Sequence, residues 1–538
     1  MPHVLCYDAT LRESKQAPGI IFSPTDMIAL AELLDQFGVD YIEAGWPGAS
    51  SDWDEFFSLI ADGRGPNLQH AKLAAFGSTH KANFKPEEDE LFQQLVRAPV
   101  DIVTIFGKTW QIHATEALRT TPERNLEMIE SSVRALAASG KRVFFDAEHF
   151  FQSVREDGDT YAFHALDAAV RGGAEQLILC DTNGPAMYWE VESVVARVVN
   201  AFPSTIIGVH LHGDRGMSTA NALAAIKAGA RHVQGTINGL SERVQMACTL
   251  ELMANLFLLQ EEKRLEGIAV NPRYQPTLSR FISREMDRRT GIHPNPQKPF
   301  IVPTCHKAGV HASAVGRGGG GLYESHDPTL FGGRRIIALS SMAGKANVVA
   351  AALAYWNVEI APTDLRVSDI LADTESHERR GCRLDVCDGS ASVLIARHLW
   401  PNIPTGWEEP IRDPRLTDFG DGQMIAALIF ANDIVTSGIG DGPVDAIVNA
   451  VVRHYASTSL GFLNGIRLTG FDSANIERLG LEGSAAFVRV EIEWTHDRLR
   501  PFTTGGVSTN INLAAWQAIK DAFAYIFYTH WRDIHTET

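Results

Sequence analysis

The sequence predicts a (β/α)8 barrel, followed by a helical connector and a smaller α+β domain. Eight short apolar runs alternate with helical segments over the first 240 residues. Ionisable residues gather where those runs end. A change of pattern near residue 390 marks the second domain. Strand and helix repeated eight times is the arithmetic of a TIM barrel. A doubly wound open sheet is the alternative, but no early GxGxxG turn appears.

The runs are HVLCYDA (3–9), VDYIEAGW (39–46), KLAAFGS (72–78), VDIVTIFG (100–107), RVFFDAEH (142–149), QLILCDTN (176–183), IIGVHLHG (206–213) and HVQGTING (232–239). They read as continuous apolar stretches more than as alternations, which suits strands buried on both faces. Between them, segments such as TDMIALAELLDQFG and TANALAAIKAGA repeat apolar residues at helical spacing. Ser, Thr or Asp stands near their starts and Gly near their ends.

A barrel builds its site from the loops that follow its strands. Arg12 and Glu13 follow run one, and Glu43 ends run two. Glu148 and His149 end run five, Asp181 and Thr182 run six, and His210 and His212 run seven. Asn238 and Glu242 follow run eight. So many ionisable groups at one end of the barrel point to an active site.

His210 and His212 flank Leu211 on one strand, so both imidazoles point to one face. With 19 His in the chain, chance alone supplies roughly 0.7 such pairs, so the motif is weak by itself. Its place at the end of a barrel strand, opposite Glu13, makes an N,N,O set. Such a set suits Zn, Mn, Co or Fe(II) with open positions for substrate. The bland alternative is two ordinary histidines. A 2-oxoacid can chelate one ion through its carboxylate and keto oxygens, and the ion then polarises the carbonyl. Arg12 stands next to Glu13, where it can stabilise the developing oxyanion; a salt bridge to Glu43 or Asp8 is the alternative.

At these residues the chain resembles a known family. DATLRESKQ, HLHGDRG, GTINGLSER and HKAGVHASAV are similar to motifs of the metallolyase barrels that include isopropylmalate, homocitrate and citramalate synthases. VDYIEAGWPG, FGKTWQIHATEALRTT and FFDAEHFF resemble the citramalate branch, and GDGPVDA near residue 440 resembles the regulatory domain. The resemblance implies an acyltransferase that condenses acetyl-CoA with a small 2-oxoacid, pyruvate foremost, in isoleucine biosynthesis. It implies a divalent cation (Mn, Mg, Zn or Co) on Glu13, His210 and His212. Arg12 would polarise the keto group, Thr182 would hold the 2-oxoacid carboxylate, and Glu148 would assist acid–base chemistry or substrate binding. His311 would be the catalytic base on a flap, accompanied by Tyr323. Glu43, His113 and Asn238 are further candidate substrate contacts, with His113 and His149 open to a structural reading. A homodimer is implied, with an amino-acid effector such as isoleucine on the last domain.

Four departures bear on the substrate. Glu13 replaces the Asp usual in the citramalate and isopropylmalate motif, and Ser14 replaces Gly. Met246 stands where an Asn can ligate metal, so water or substrate must fill that position. DTNGPA replaces DTNGGT.

Expected boundaries are a barrel over 1–265, a connector and flap over 266–385, and a regulatory domain over 386–538. GRGGGG at 316–321 reads as a hinge beside the flap; no strand precedes it and no Lys-Ser/Thr follows, so a phosphate cradle does not fit. The net charge of −17 argues against a nucleic-acid partner. No stretch approaches the ~18 apolar residues of a membrane span. Six scattered cysteines without a CxxC pair suit reduced thiols in the cytoplasm. Two rival functions remain at this level: a retro-aldol acyl-CoA lyase on the same barrel, and a catalytically silent effector-binding homologue.

Overall fold

The computed structural model describes residues 3–264, 267–292, 298–302, 304–306, 315, 322–333, 335–340, 343–401, 413–418, 420, 422–430, 433–456, 460–476 and 487–536. Eight parallel strands close into a barrel in chain order: β1 (Leu5–Asp8), β2 (Tyr41–Gly45), β3 (Lys72–Ser78), β4 (Ile102–Lys108), β5 (Arg142–Glu148), β6 (Gln176–Asp181), β7 (Ile206–Leu211) and β8 (His232–Gly235). β8 pairs back onto β1, with Leu5 opposite His232 and Tyr7 opposite Gln234. Each apolar run of the sequence contains one of these strands, except that β4 extends one residue beyond its run, to Lys108.

The runs look continuous because both faces are buried, yet the two faces differ in chemistry. Cys6, Ile42, Ala75, Val103, Val143, Leu177, Ile207 and Val233 point outward. They share one core with helix residues such as Leu30, Leu34, Ile129, Val133, Leu166 and Val195. Each fully buried aliphatic side chain contributes about 1.5–3 kcal/mol, so this layer supplies most of the barrel's stability. Tyr7, Tyr41, Ala74, Ile102 and Phe144 point inward and form a separate small cluster. Glu43, Thr104, Asp146, His210 and Gln234 are also buried, and each lies two residues along its strand from an inward-facing position. The inner face is therefore aromatic at one level and polar at the next, as the two-residue strand period requires.

Local signals set the helix ends. Helix Pro24–Phe37 begins with a capping box between Ser23 and Asp26 and stops at Gly38. Gly38 has φ +97°, and a Cβ there would stand 2.7 Å from the Arg273 carbonyl, so only glycine fits both the conformation and the space.

The chain forms two compact units, residues 1–302 with 328–333, and residues 303–327 with 334–538. In the second, β9 (Thr304–His306) and β10 (Arg335–Ile337) pair in parallel within a segment the sequence reads as helical. Helices Lys345–Trp356, Leu365–Arg379 and Asp388–Leu399 follow. Trp356 is buried among them, its indole N–H donating to Ser392 O at 2.9 Å. Next come two antiparallel sheets, β11 (Arg415–Asp418), β12 (Met424–Ile429) and β13 (Val435–Gly440), then β14 (Ile466–Ile476), β15 (Phe487–His496) and β16 (Leu499–Ser508). Each sheet is followed by a long helix, Pro443–Tyr455 or Ile511–Thr536. This is the repeated strands-then-helix pattern of an α+β domain. Among the described residues, no helix is long and apolar enough to cross a membrane.

Candidate active site at the barrel mouth

Directly after β1 the chain turns into a short helix, Thr10–Glu13, which places Arg12 and Glu13 in the barrel mouth, both buried. Arg12 Nε donates to Glu43 Oε1 at 2.5 Å, and its Nη1 pairs with Glu13 Oε2. The guanidinium lies over the Phe76 ring, 3.8 Å from its centre. Glu43 Oε2 accepts from the Tyr7 hydroxyl at 2.7 Å. The other partner considered for Arg12, Asp8, is held instead by the Thr10 N–H at 3.0 Å and the Thr249 hydroxyl at 2.6 Å. Burial pushes the Asp8 carboxyl up to about 6.

Across from Arg12 stand the two histidines. His210 Nε2 is 3.2 Å from His212 Nε2, and His212 Nε2 is 3.9 Å from Glu13 Oε1. Two donors bound to one ion at ~2.1 Å stand roughly 3.0–3.5 Å apart, so the two imidazoles lie within that span and Glu13 slightly beyond it from His212. His210 Nδ1 meets Gln234 Oε1 at 2.5 Å, which leaves Nε2 as the atom free to ligate. His212 Nδ1 is buried without a hydrogen-bond partner among the described residues. Burial, then the neighbouring His210, lowers the His212 pKa to about 3, so its ring is neutral, the form that binds metal. Burial raises the Glu13 carboxyl, but Arg12 and the two imidazoles outweigh it and hold Glu13 below the usual range. This donor set fits a divalent cation. As the side chains stand, no three His, Cys, Asp or Glu among the described residues enclose a cation site; Arg12 holds the second oxygen of Glu13.

Glu148, His149, Thr182 and His113 form a second cluster. Lys108 at the end of β4 pairs with Glu148 Oε2, and His149 Nε2 lies 3.7 Å from Glu148 Oε1. His149 has φ +62°, uncommon for a side-chain-bearing residue. Its backbone N–H donates to Thr182 Oγ1 at 2.9 Å, which orients that hydroxyl. The His113 ring sits 4.0 Å from that of His149 and stacks on Trp110 at 5.1 Å. Burial lowers both imidazoles, His149 to about 3. Arg243 grips Asp214 at 2.8 and 3.0 Å and donates to Thr182 O at 2.7 Å, tying the loop after β8 to the loops after β6 and β7.

Asn238 does not join either cluster. Its amide donates to Ser283 O at 3.3 Å and Asp287 Oδ1 at 3.1 Å, on helix Ser279–Thr290. Tyr323 lies in the second compact unit and is exposed. It precedes Glu324, which bridges His306 (2.8 Å) and Arg335 (2.7 and 2.6 Å). His311 and the GRGGGG stretch lie outside the described residues. Sequence reasoning missed Tyr7, Lys108, Asp146, Gln234 and Arg243. The signal for the first four was present: each is a polar residue an even number of positions from another inward-facing one.

Two departures have a structural counterpart. The Ser14 hydroxyl donates to Leu240 O at 2.8 Å, pinning the loop after β1 to the loop after β8. Met246 is buried, bridges to His212 through its backbone, and donates its N–H to Gly239 O at 3.0 Å.

The HMGL-like family model matches residues 3–273, and the LeuA allosteric (dimerisation) domain matches residues 419–527. The chain is 35% identical to the (R)-citramalate synthase of Sulfolobus acidocaldarius over 526 residues, 97% of this chain and 96% of that protein. It is 34% identical to the (R)-citramalate synthase of Aquifex aeolicus, covering 97% of each chain. With the (R)-citramalate synthase of Geobacter sulfurreducens the identity is 33%, covering 98% of each.

Proposed function

This chain belongs to the HMGL-like family, together with the (R)-citramalate synthases that it matches from end to end, and on that premise we propose that it condenses acetyl-CoA with pyruvate. The products are (R)-citramalate and free CoA. The acetyl methyl carbon loses a proton and bonds to the keto carbon of pyruvate, and water then cleaves the thioester. The observation that carries this reading is the convergence of Glu13, His210 and His212 beside Arg12 in the barrel mouth.

Glu13, His210 and His212 would hold a divalent cation, which when bound would supply Lewis-acid polarisation of a keto group. Arg12, fixed by Glu43 and Glu13, would offer its remaining N–H groups to the oxygen where negative charge develops. The Thr182 hydroxyl accepts from His149 N–H, so its own proton is free to meet the substrate carboxylate. Glu148, paired with Lys108, orients the neighbouring imidazole. His311 takes the methyl proton, a task suited to a group titrating near neutral pH, and Tyr323 accompanies it. Glu43 acts through Arg12, and His113 walls the pocket beside His149.

The same reading makes the enzyme a cytoplasmic homodimer in isoleucine biosynthesis. Its LeuA-type domain senses an amino-acid effector, which must bind two states unequally to regulate. Thiol release from acetyl-CoA with pyruvate, 2-oxobutyrate, glyoxylate and 2-oxoisovalerate tests the proposal. Pyruvate is expected to give the highest kcat/KM; no thiol release with any of the four refutes it.

A further inference from the structure

We infer that Gln234, oriented by Asp146, is a positioning residue that presets the protonation pattern of His210 for metal binding. This inference rests on the metal reading of the barrel mouth. The β7–β8 register puts Gln234 beside His210, and both are buried. Gln234 Oε1 stands 2.5 Å from His210 Nδ1. An amide oxygen has only lone pairs to offer, so His210 Nδ1 carries the proton and Nε2 the free pair. That pair faces His212 Nε2, 3.2 Å away.

A glutamine amide is nearly symmetric in shape, so something must choose which end faces the histidine. Gln234 Nε2 donates to Asp146 Oδ1 at 3.0 Å. Asp146 comes from β5, 88 positions away in sequence, and reaches Gln234 across the barrel interior. An N–H end facing Asp146 leaves the carbonyl end facing His210. Turning the amide over would set its N–H toward His210 Nδ1 and so place the imidazole proton on Nε2, the atom that must be free to ligate. As it stands, the chain Asp146–Gln234–His210 has the polarity that leaves Nε2 free. His212 has no equivalent: its Nδ1 is buried without a hydrogen-bond partner among the described residues. Of the two imidazoles, His210 is the one whose ligating atom is set in advance.

Outer partners of this kind are typically worth about 10–100-fold in metal affinity. Protein stripped with chelator and titrated calorimetrically with Co2+ reads this directly, without turnover. Gln234→Leu is expected to weaken Co2+ binding by about 10–100-fold. Gln234→Glu, whose carboxylate still accepts from Nδ1–H, is expected to bind more tightly than the Leu variant. Asp146→Asn, which offers either polarity to Gln234, is expected to lose about threefold or more. Melting curves of the stripped proteins identify any variant that is unfolded; if Gln234→Leu is, the Glu and Asn variants decide. Affinity within about twofold of wild type in every folded variant, while His212→Ala loses more than about tenfold, overturns the inference. Unchanged Co2+ binding in His212→Ala as well overturns the metal reading beneath it.

Discussion

Arg12 and Glu43 are joined by a 2.5 Å hydrogen bond from guanidinium Nε to carboxylate Oε1, both side chains buried in the barrel mouth. Glu13 takes a second arm of the same guanidinium. A buried pair of this kind is costly to break, because the partner left behind is an uncompensated charge; about 3–5 kcal/mol is typical. It also fixes the direction in which the free N–H groups point.

Arg12→Ala is therefore expected to lower kcat for thiol release by about 10²–10³, the scale of losing an oxyanion donor. Arg12→Lys should recover little of it, because an ammonium cannot hold Glu43 and Glu13 in one planar fork. Steady-state kinetics with acetyl-CoA and pyruvate check both; a Lys variant at wild-type rate contradicts the assigned role.

Chelator treatment should abolish thiol release, and added divalent cation should restore it in the wild type but not in a variant lacking both His210 and His212. Metal content and activity measured on the same samples make the comparison.

His311→Ala should lower kcat by about 10²–10⁴, the range for losing a positioned base. Metal affinity should stay unchanged. Equal losses of metal and 2-oxoacid binding would instead assign His311 to the ligand shell.

Stability should fall with rising pH at Asp8. Its carboxyl moves from an ordinary 3.8 up to about 6 on burial, so the folded state holds more protons than the unfolded state between those values. The contribution is present in full below the unfolded pKa and is lost as pH rises through about 6. Melting temperatures across pH 4–7 should show a steeper fall for the wild type than for Asp8→Asn. Parallel profiles for the two proteins reject the assignment.

Much of this was readable beforehand. Eight runs became eight strands because each is apolar on the face that packs against helices. The placement of Glu13, His210 and His212 in the barrel mouth was legible from position alone, since a barrel strand delivers its last residues to one mouth. Asn238 was not: it follows β8 like the others, but its side chain turns to Asp287 on a helix far along the chain. Nor was the pairing of Lys108 with Glu148, because the two lie on neighbouring strands 40 positions apart.

Local patterns in the chain were enough to specify the barrel and the ionisable residues that its strands deliver to one mouth. They act through strand period, helix caps and the burial of aliphatic faces, all of which are properties of short segments. Tertiary structure alone decided which polar group meets which: Arg12 with Glu43 rather than Asp8, Gln234 with both His210 and Asp146, Asn238 with Asp287. Those choices depend on barrel closure and strand register, which bring distant residues within hydrogen-bond reach.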